Sequence, residues 1–255
     1  MQVSANRRFG KDVTFGAAFT WSKSLGTTND DYTTNIPFNI RKADYSMLST
    51  DREKVLVFNY VYNLPKFIKS TTAAAKVGGV LVNNWQVSGI TSFQTGAPTS
   101  MSFSISGIGN LNERYTGSPD VGPRPSFSNP LSIQKNMYGW INTSSLTLAP
   151  FKSSQGFDSA RYQTFGPGFQ NWDVSIFKNV PLYKERLRMQ LRVEMFNAWN
   201  HPNFNAFATS AGFNAAGQIT NLPAALGGGG GRFGFGALTT TMDPRRIQLG
   251  AKIYF

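Results

Sequence analysis

The chain has 255 residues, a formal net charge of +12, no Cys and a single His. Disulfide frameworks, thiolate metal sites and two-histidine zinc sites are therefore excluded, and the length suits one large domain or two small ones. Charged residues make up only 15%, against 14% aromatics and 25 glycines. That mixture favours strands and turns over helices, and no apolar run approaches the ~20 residues of a membrane-spanning helix.

Seven segments read as strands by period-2 alternation. Residues 1–8 carry the weakest pattern, and Met1 to Arg8 also lack the apolar stretch of a signal peptide. A turn at Phe9-Gly10-Lys11-Asp12 leads to residues 13–23, where Val13, Phe15, Ala17, Phe19 and Trp21 alternate with Thr14, Gly16, Ala18, Thr20 and Ser22. Residues 55–64 place Leu56, Phe58, Tyr60, Tyr62 and Leu64 on one face, and Pro65 ends the run. Residues 85–95 set Trp85, Val87, Gly89, Thr91 and Phe93 opposite Gln86, Ser88, Ile90, Ser92 and Gln94. Residues 172–180 follow. Residues 187–199 then set Leu187, Met189, Leu191, Val193 and Met195 opposite Arg188, Gln190, Arg192, Glu194 and Phe196.

The last strand, residues 246–255, alternates to the final residue. Ile247, Leu249, Ala251, Ile253 and Phe255 share one face, and Arg246, Gln248, Gly250, Lys252 and Tyr254 the other. Chain ends usually fray into polar residues. An outer-membrane β-barrel can end in this way, with one face to lipid and one to the lumen. An edge strand of a soluble sandwich is the competing architecture.

The connections alternate in length. Residues 9–12, about 65–84 and 181–186 are shorter, while about 24–54, 96–171 and 200–244 are long and irregular. In an up-and-down sheet this puts all the long loops at one end, as in outer-membrane barrels with short periplasmic turns and long extracellular loops. Trp21 near the long-loop end, and Trp85 and Phe255 near the short-turn end, are candidate membrane-interface aromatics. Seven strands do not close a single-chain bacterial barrel of the usual kind, so the missing strands are expected upstream of Met1. The expected fold is all-β: an antiparallel up-and-down transmembrane barrel segment of about seven strands.

Two stretches are specific enough to carry a resemblance. They are Gly166-Pro167-Gly168-Phe169-Gln170-Asn171-Trp172-Asp173-Val174-Ser175-Ile176-Phe177-Lys178-Asn179 and Arg192-Val193-Glu194-Met195-Phe196-Asn197-Ala198-Trp199-Asn200-His201-Pro202-Asn203-Phe204. With Pro244-Arg245-Arg246-Ile247-Gln248-Leu249-Gly250 they resemble the Oar-like TonB-dependent outer-membrane receptors of the acidobacterial type. Weaker echoes are Asp51-Arg52, Tyr62-Asn63-Leu64-Pro65, Asn84-Trp85-Gln86-Val87-Ser88-Gly89-Ile90 and Gly122-Pro123-Arg124-Pro125. The resemblance implies an exported protein with an N-terminal β-sandwich, a plug and a barrel of about 22 strands. Residues 1–255 would be the last third of that barrel, without the signal peptide, sandwich, TonB-contacting segment or plug. It implies uptake of a large scarce solute across the outer membrane of a Gram-negative bacterium. The implied partners are outer-membrane lipid, the inner-membrane TonB complex through the missing N-terminal part, and the barrel-assembly machinery through the C-terminal strand.

Enzymatic chemistry is not expected, and no cofactor or metal is implied. The Gly227–Gly231 run lacks the Lys-Ser/Thr and the strand–helix context of a phosphate loop, and reads as a flexible extracellular loop. His201 has no accompanying nucleophile elbow. Lys and Arg are scattered rather than clustered among aromatics, which argues against nucleic acid. Arg188, Arg192, Glu194, Arg246, Gln248 and Lys252 are candidate lumen-lining residues, either a polar ladder that docks the plug or a cationic track for an anionic solute. Arg192 and Glu194 share a face and could pair with the adjacent strand. Tyr115, Tyr138 and Trp140, with Phe127, are loop aromatics that could contact an extracellular ligand or pack the loop. Asp30, Asp31, Asp44 and Asp51 match no cation-binding loop and read as solvated surface. Two rival functions are a structural or adhesive barrel without transport and a soluble carbohydrate-binding β-sandwich.

Overall fold

The computed structural model describes residues 1–27, 44–69, 72–148, 155–183 and 187–255. Its frame is one seven-stranded sheet in which each strand pairs antiparallel with its neighbours in chain order. The strands are β1 (Gln2–Phe9), β2 (Val13–Trp21), β3 (Lys54–Asn63), β4 (Trp85–Gln94), β5 (Phe169–Tyr183), β6 (Leu187–Phe196) and β7 (Arg246–Tyr254). This up-and-down meander is the expected all-β class. It is a single sheet rather than two packed ones, which is not the architecture of a sandwich.

The register propagates the alternation of each strand across the whole sheet. Phe19 lies opposite Leu56, Leu56 opposite Phe93, Ile176 opposite Val87 and Val193, and Val193 opposite Leu249. These residues form one apolar face. A run of ring contacts crosses it: Phe15 to Phe58 at 5.8 Å, Phe58 to Phe93 at 6.5 Å, and Phe93 to Trp172 at 5.8 Å between centroids. The last two meet edge to face, the arrangement that ring quadrupoles favour. On the other face Asn6, Gly16 and Asn59 sit side by side, as do Ser88 and Ser175, Glu194 and Gln248. A side chain at Gly16 would collide with the Asn59 and Asn6 amides, so its smallness keeps this polar row close.

The long connections all leave one end of the sheet and the shorter ones the other, as loop length predicts. The strand limits differ from expectation mainly in two places. β5 is longer than residues 172–180, starting at Phe169 and ending at Tyr183. β6 stops at Phe196 because Asn197 turns into the left-handed region, with φ of 50°. The connection between β3 and β4 contains a helix, Ala73–Val82, that alternation does not foresee.

The buried core lies outside the sheet, in the long loops. Met101, Phe103, Ile105, Tyr115, Ile141 and Leu146 come from the β4–β5 connection, and Phe207, Ala211, Phe213, Phe235 and Leu238 from the β6–β7 connection. The two loops are joined by a parallel strand pair, Ser102–Ile105 beside Ser210–Phe213. The Gly227–Gly231 run corrects the flexible-loop expectation. The amides of Gly228, Gly229 and Gly230 donate to the carbonyls of Pro223, Thr220 and Leu222. A side chain at Gly228 or Gly230 would strike the Leu222 or Asn221 backbone, so these glycines serve close approach rather than freedom.

Phe235 is fully buried where the two loops meet. Phe235→Ala should lower the stability of the loop unit by about 3–5 kcal/mol, the usual range for emptying a Phe site. Hydrogen exchange should speed up in Ser102–Ile105 and Ser210–Phe213 while β3 to β6 keep their protection.

Candidate functional site: the loop-end rim of the polar face

The segments that carry the sequence resemblance converge at the loop end of β5, β6 and β7. Asp173, on the polar face of β5, accepts the Asn197 backbone N–H at 3.0 Å and the Asn171 amide at 2.8 Å, both through Oδ1. Asn197 is buried. Its Oδ1 accepts the His201 N–H at 2.9 Å, and its Nδ2 donates to the carbonyls of His201 (2.9 Å) and Asp243 (3.4 Å). Asn203, also buried, accepts the Gln170 N–H at 3.0 Å, and its own carbonyl accepts Met242 N–H at 2.7 Å. Asn200 accepts the Arg245 N–H at 3.0 Å. Three asparagines and one aspartate thus satisfy the backbone of a sharp turn and clamp the starts and ends of three strands. His201 takes part through its backbone.

Around this network lies a cavity of about 650 Å³, lined by Phe169, Asp173, Phe196, Asn197, Asn203, Arg246 and Gln248 among others. Its wall combines two aromatic rings, several amides, the carboxylates of Asp173 and Asp243, and a guanidinium. Arg246 is paired with Asp243 across one turn. Residue alternation singles out Arg246 and Gln248 but misses Asp173, Asn197 and Asn203. Their signal is the spacing Asn197-x-x-Asn200-x-x-Asn203 just past a strand end, a run of turn-forming side chains.

All six lumen candidates, Arg188, Arg192, Glu194, Arg246, Gln248 and Lys252, lie on the polar face. Arg192 does not use its strand neighbours' carboxylates. It donates to Gln190 Oε1 at 2.8 Å and to the Tyr254 hydroxyl at 3.5 Å, and its guanidinium stands 5.5 Å from the Phe177 ring. Arg188 and Lys252 stand 4.6 and 4.8 Å from the Tyr254 ring. Among the described residues, the ion pairs are Lys54–Glu53, Arg124–Asp44 and Arg246–Asp243. Arg188, Arg192 and Lys252 are therefore held by ring faces, an amide and a hydroxyl rather than by carboxylates, and the face keeps a positive excess.

The loop aromatics separate. Tyr115 is a correction: it is only 5% exposed and meets Phe103 edge to face at 5.5 Å, so it belongs to the loop core and not to a ligand surface. Trp140 is half-buried against that core and donates to the Phe165 carbonyl at 2.8 Å. Tyr138 is half-buried, and Phe127 packs on the core from a short strand pair. Asp44 and Asp51 are also corrections to the solvated reading. Both are buried; Asp44 pairs with Arg124, and Asp51 accepts the Ser24 N–H at 3.0 Å. Asp30 and Asp31 lie outside the described residues. Burial lowers the Arg124 pKa and the Asp44 carboxylate pushes back. The Arg124–Asp44 pair ties the first long loop to the second, and Arg124 also donates to the Ser159 carbonyl at 3.2 Å within the second. Trp21 and Trp85 sit at strand ends in register with the apolar face, and Phe255 follows the end of β7; Trp21 and Phe255 are exposed, and Trp85 is half-covered.

Asn197→Ala should loosen the rim by about 1–3 kcal/mol, because buried carbonyl and N–H partners of the amide lose their bonds. Limited proteolysis near His201 should accelerate, with cleavage elsewhere unchanged. Burial, reinforced by the Asp158 carboxylate, raises the Tyr115 hydroxyl above its ordinary value near 10. The folded loop thus favours the neutral phenol. The stability Tyr115 contributes is complete below its unfolded value and is lost as pH climbs through the raised one. The loop core should weaken above about pH 10, and Tyr115→Phe should remove that part of the alkaline loss, as followed by near-ultraviolet dichroism.

Neither a curated protein nor a solved structure matches the chain. A family model described as an outer membrane beta barrel domain matches residues 1–248. A chain of this kind is a multi-pass β-barrel protein of the outer membrane, which displaces the soluble sandwich. The period-2 faces, the segregated loops and this match together show that the chain belongs to the outer membrane beta barrel domain family.

Proposed function

We propose that the chain is the C-terminal part of the barrel of an Oar-like TonB-dependent receptor that takes up a large scarce solute. The carrying observation is that the three resembling segments meet in one place, the rim around Asp173, Asn197 and Asn203. In this reading the apolar face meets lipid and the polar face lines the lumen. Solute captured by the extracellular loops enters past the rim cavity. It then passes Arg246, Gln248, Glu194, Arg192, Arg188 and Lys252, a cationic wall suited to anionic groups or to docking a plug. The inner-membrane TonB complex drives plug rearrangement through the N-terminal part. Further strands pair with the free edges of β1 and β7, since unpaired backbone is costly in lipid. The C-terminal strand is the segment that the barrel-assembly machinery engages. Trp21, Trp85 and Phe255 mark the two headgroup levels.

A second reading, a structural or adhesive barrel without transport, draws on the dense loop core, which suits a rigid surface platform. Coding DNA just upstream of Met1 separates the two. An in-frame plug and TonB-contacting segment support transport, an in-frame barrel without them supports the structural role, and an immediate stop codon overturns the receptor reading. The face assignment has its own test. Leu249, 76% exposed near the middle of β7, should cost about 2–4 kcal/mol when changed to Arg, as at a lipid-facing midplane site. Gln248→Arg, one residue away on the other face, should cost far less in urea titrations of the folded barrel.

A further inference from the structure

The helix Ala73–Val82 stands at the short-turn end of the sheet, on its apolar side. Its position follows from three contacts. The Trp85 indole N–H donates to the Leu81 carbonyl at 2.9 Å, in the helix's last turn. The Lys178 ammonium donates to the Asn83 carbonyl just past the helix and lies 5.1 Å from the Trp85 ring. Trp85 and Lys178 are opposite each other in register on the apolar face of β4 and β5. A lysine on that face would be costly without partners, and the carboxyl end of a helix is where a cation is favoured. The Asn83 side chain reaches back to Ile68, before the helix, and bonds its backbone N–H and carbonyl at 3.1 and 2.7 Å. The residues flanking the helix, Ile68 and Asn83, are therefore joined to each other and to β5 where the apolar face ends.

Its outer side is apolar. Val77, Val80 and Leu81, at i, i+3 and i+4, share one side of the helix. Val77 and Leu81 are 71% and 70% exposed, and Phe67, in the segment before the helix, is 61% exposed. The stretch from Pro65 to Asn84 has Lys66, Lys69 and Lys76 and no acidic residue. Lys66 and Lys69 are exposed. At 10 residues the helix spans about 15 Å, too short to cross a bilayer.

We propose that this helix is an interfacial anchor lying in the headgroup–acyl boundary of the periplasmic leaflet. Val77, Val80, Leu81 and Phe67 enter the acyl region, and Lys66 and Lys69 meet lipid phosphates. Two features select lipid as the occupant: continuity with the apolar face of the sheet, and the match between an all-cationic polar complement and anionic headgroups. The inference rests on the assignment of that face to lipid.

The chain has no Cys, so one can be placed anywhere. Leu81→Cys and Leu191→Cys would each carry a bimane label in the full chain, reconstituted in phosphatidylcholine–phosphatidylglycerol vesicles. Spin-labelled lipids with the label near the headgroup or deep in the acyl chain serve as quenchers, and iodide probes the water. The expected result is blue-shifted emission at Leu81, mostly lost to the shallow label and little affected by iodide, with Leu191 quenched by the deep label. Strong iodide quenching at Leu81, or blue-shifted emission untouched by either lipid label, overturns the anchor while Leu191 still reports lipid. If Leu191 also escapes both lipid labels, the lipid assignment itself falls.

Discussion

A polypeptide in hydrocarbon must pair every backbone N–H and C=O within itself, and this constraint shapes the rest of the molecule. Strands satisfy it only by pairing side by side with neighbours, which here are antiparallel throughout. Hence the meander of β1 to β7 in chain order. Pairing fixes register, and register turns seven separate alternations into two continuous faces. One carries Phe19, Leu56, Phe93, Ile176, Val193 and Leu249; the other carries asparagines, serines and the cations of β6 and β7.

Because the sheet turns both faces to its surroundings, the apolar interior is built elsewhere. The long loops fold on each other around Phe103, Phe213 and Phe235, stitched by short strand pairs and by Arg124 and Asp44. The rim joins the two regions. There Asp173, Asn197 and Asn203 replace strand hydrogen bonds with side-chain ones, so that β5 and β6 end cleanly and the loops start in a defined direction. The rim cavity lies at that joint, between the ordered loops and the polar face.

Alternation made the strands, their faces and the segregation of loops legible, because a period of two is a local property of the chain. The same holds for the facing of Arg188, Arg192, Glu194, Arg246, Gln248 and Lys252. Contacts between segments distant in sequence were not legible. Tyr115 looks like a loop aromatic until Phe103 covers it, and Asp44 like a solvated acid until Arg124 meets it from 80 residues away. The glycines after Leu226 suggest freedom by composition, yet the backbone at Leu222 and Asn221 presses on Gly228 and Gly230. The helix Ala73–Val82 escaped notice because glycines interrupt a short run within a segment that counts as a turn. Asn197, Asn200 and Asn203 stood inside a resembling motif, but only the turn geometry gives them their work.

The most direct test is a cysteine scan of β7 in intact outer membranes, one substitution at a time from Ile247 to Ile253, read by reaction with a membrane-impermeant maleimide. Two faces in two solvents predict alternation: reaction at Gln248, Gly250 and Lys252, and protection at Ile247, Leu249, Ala251 and Ile253. Uniform reaction along the strand, or protection of the even positions instead, would contradict the account.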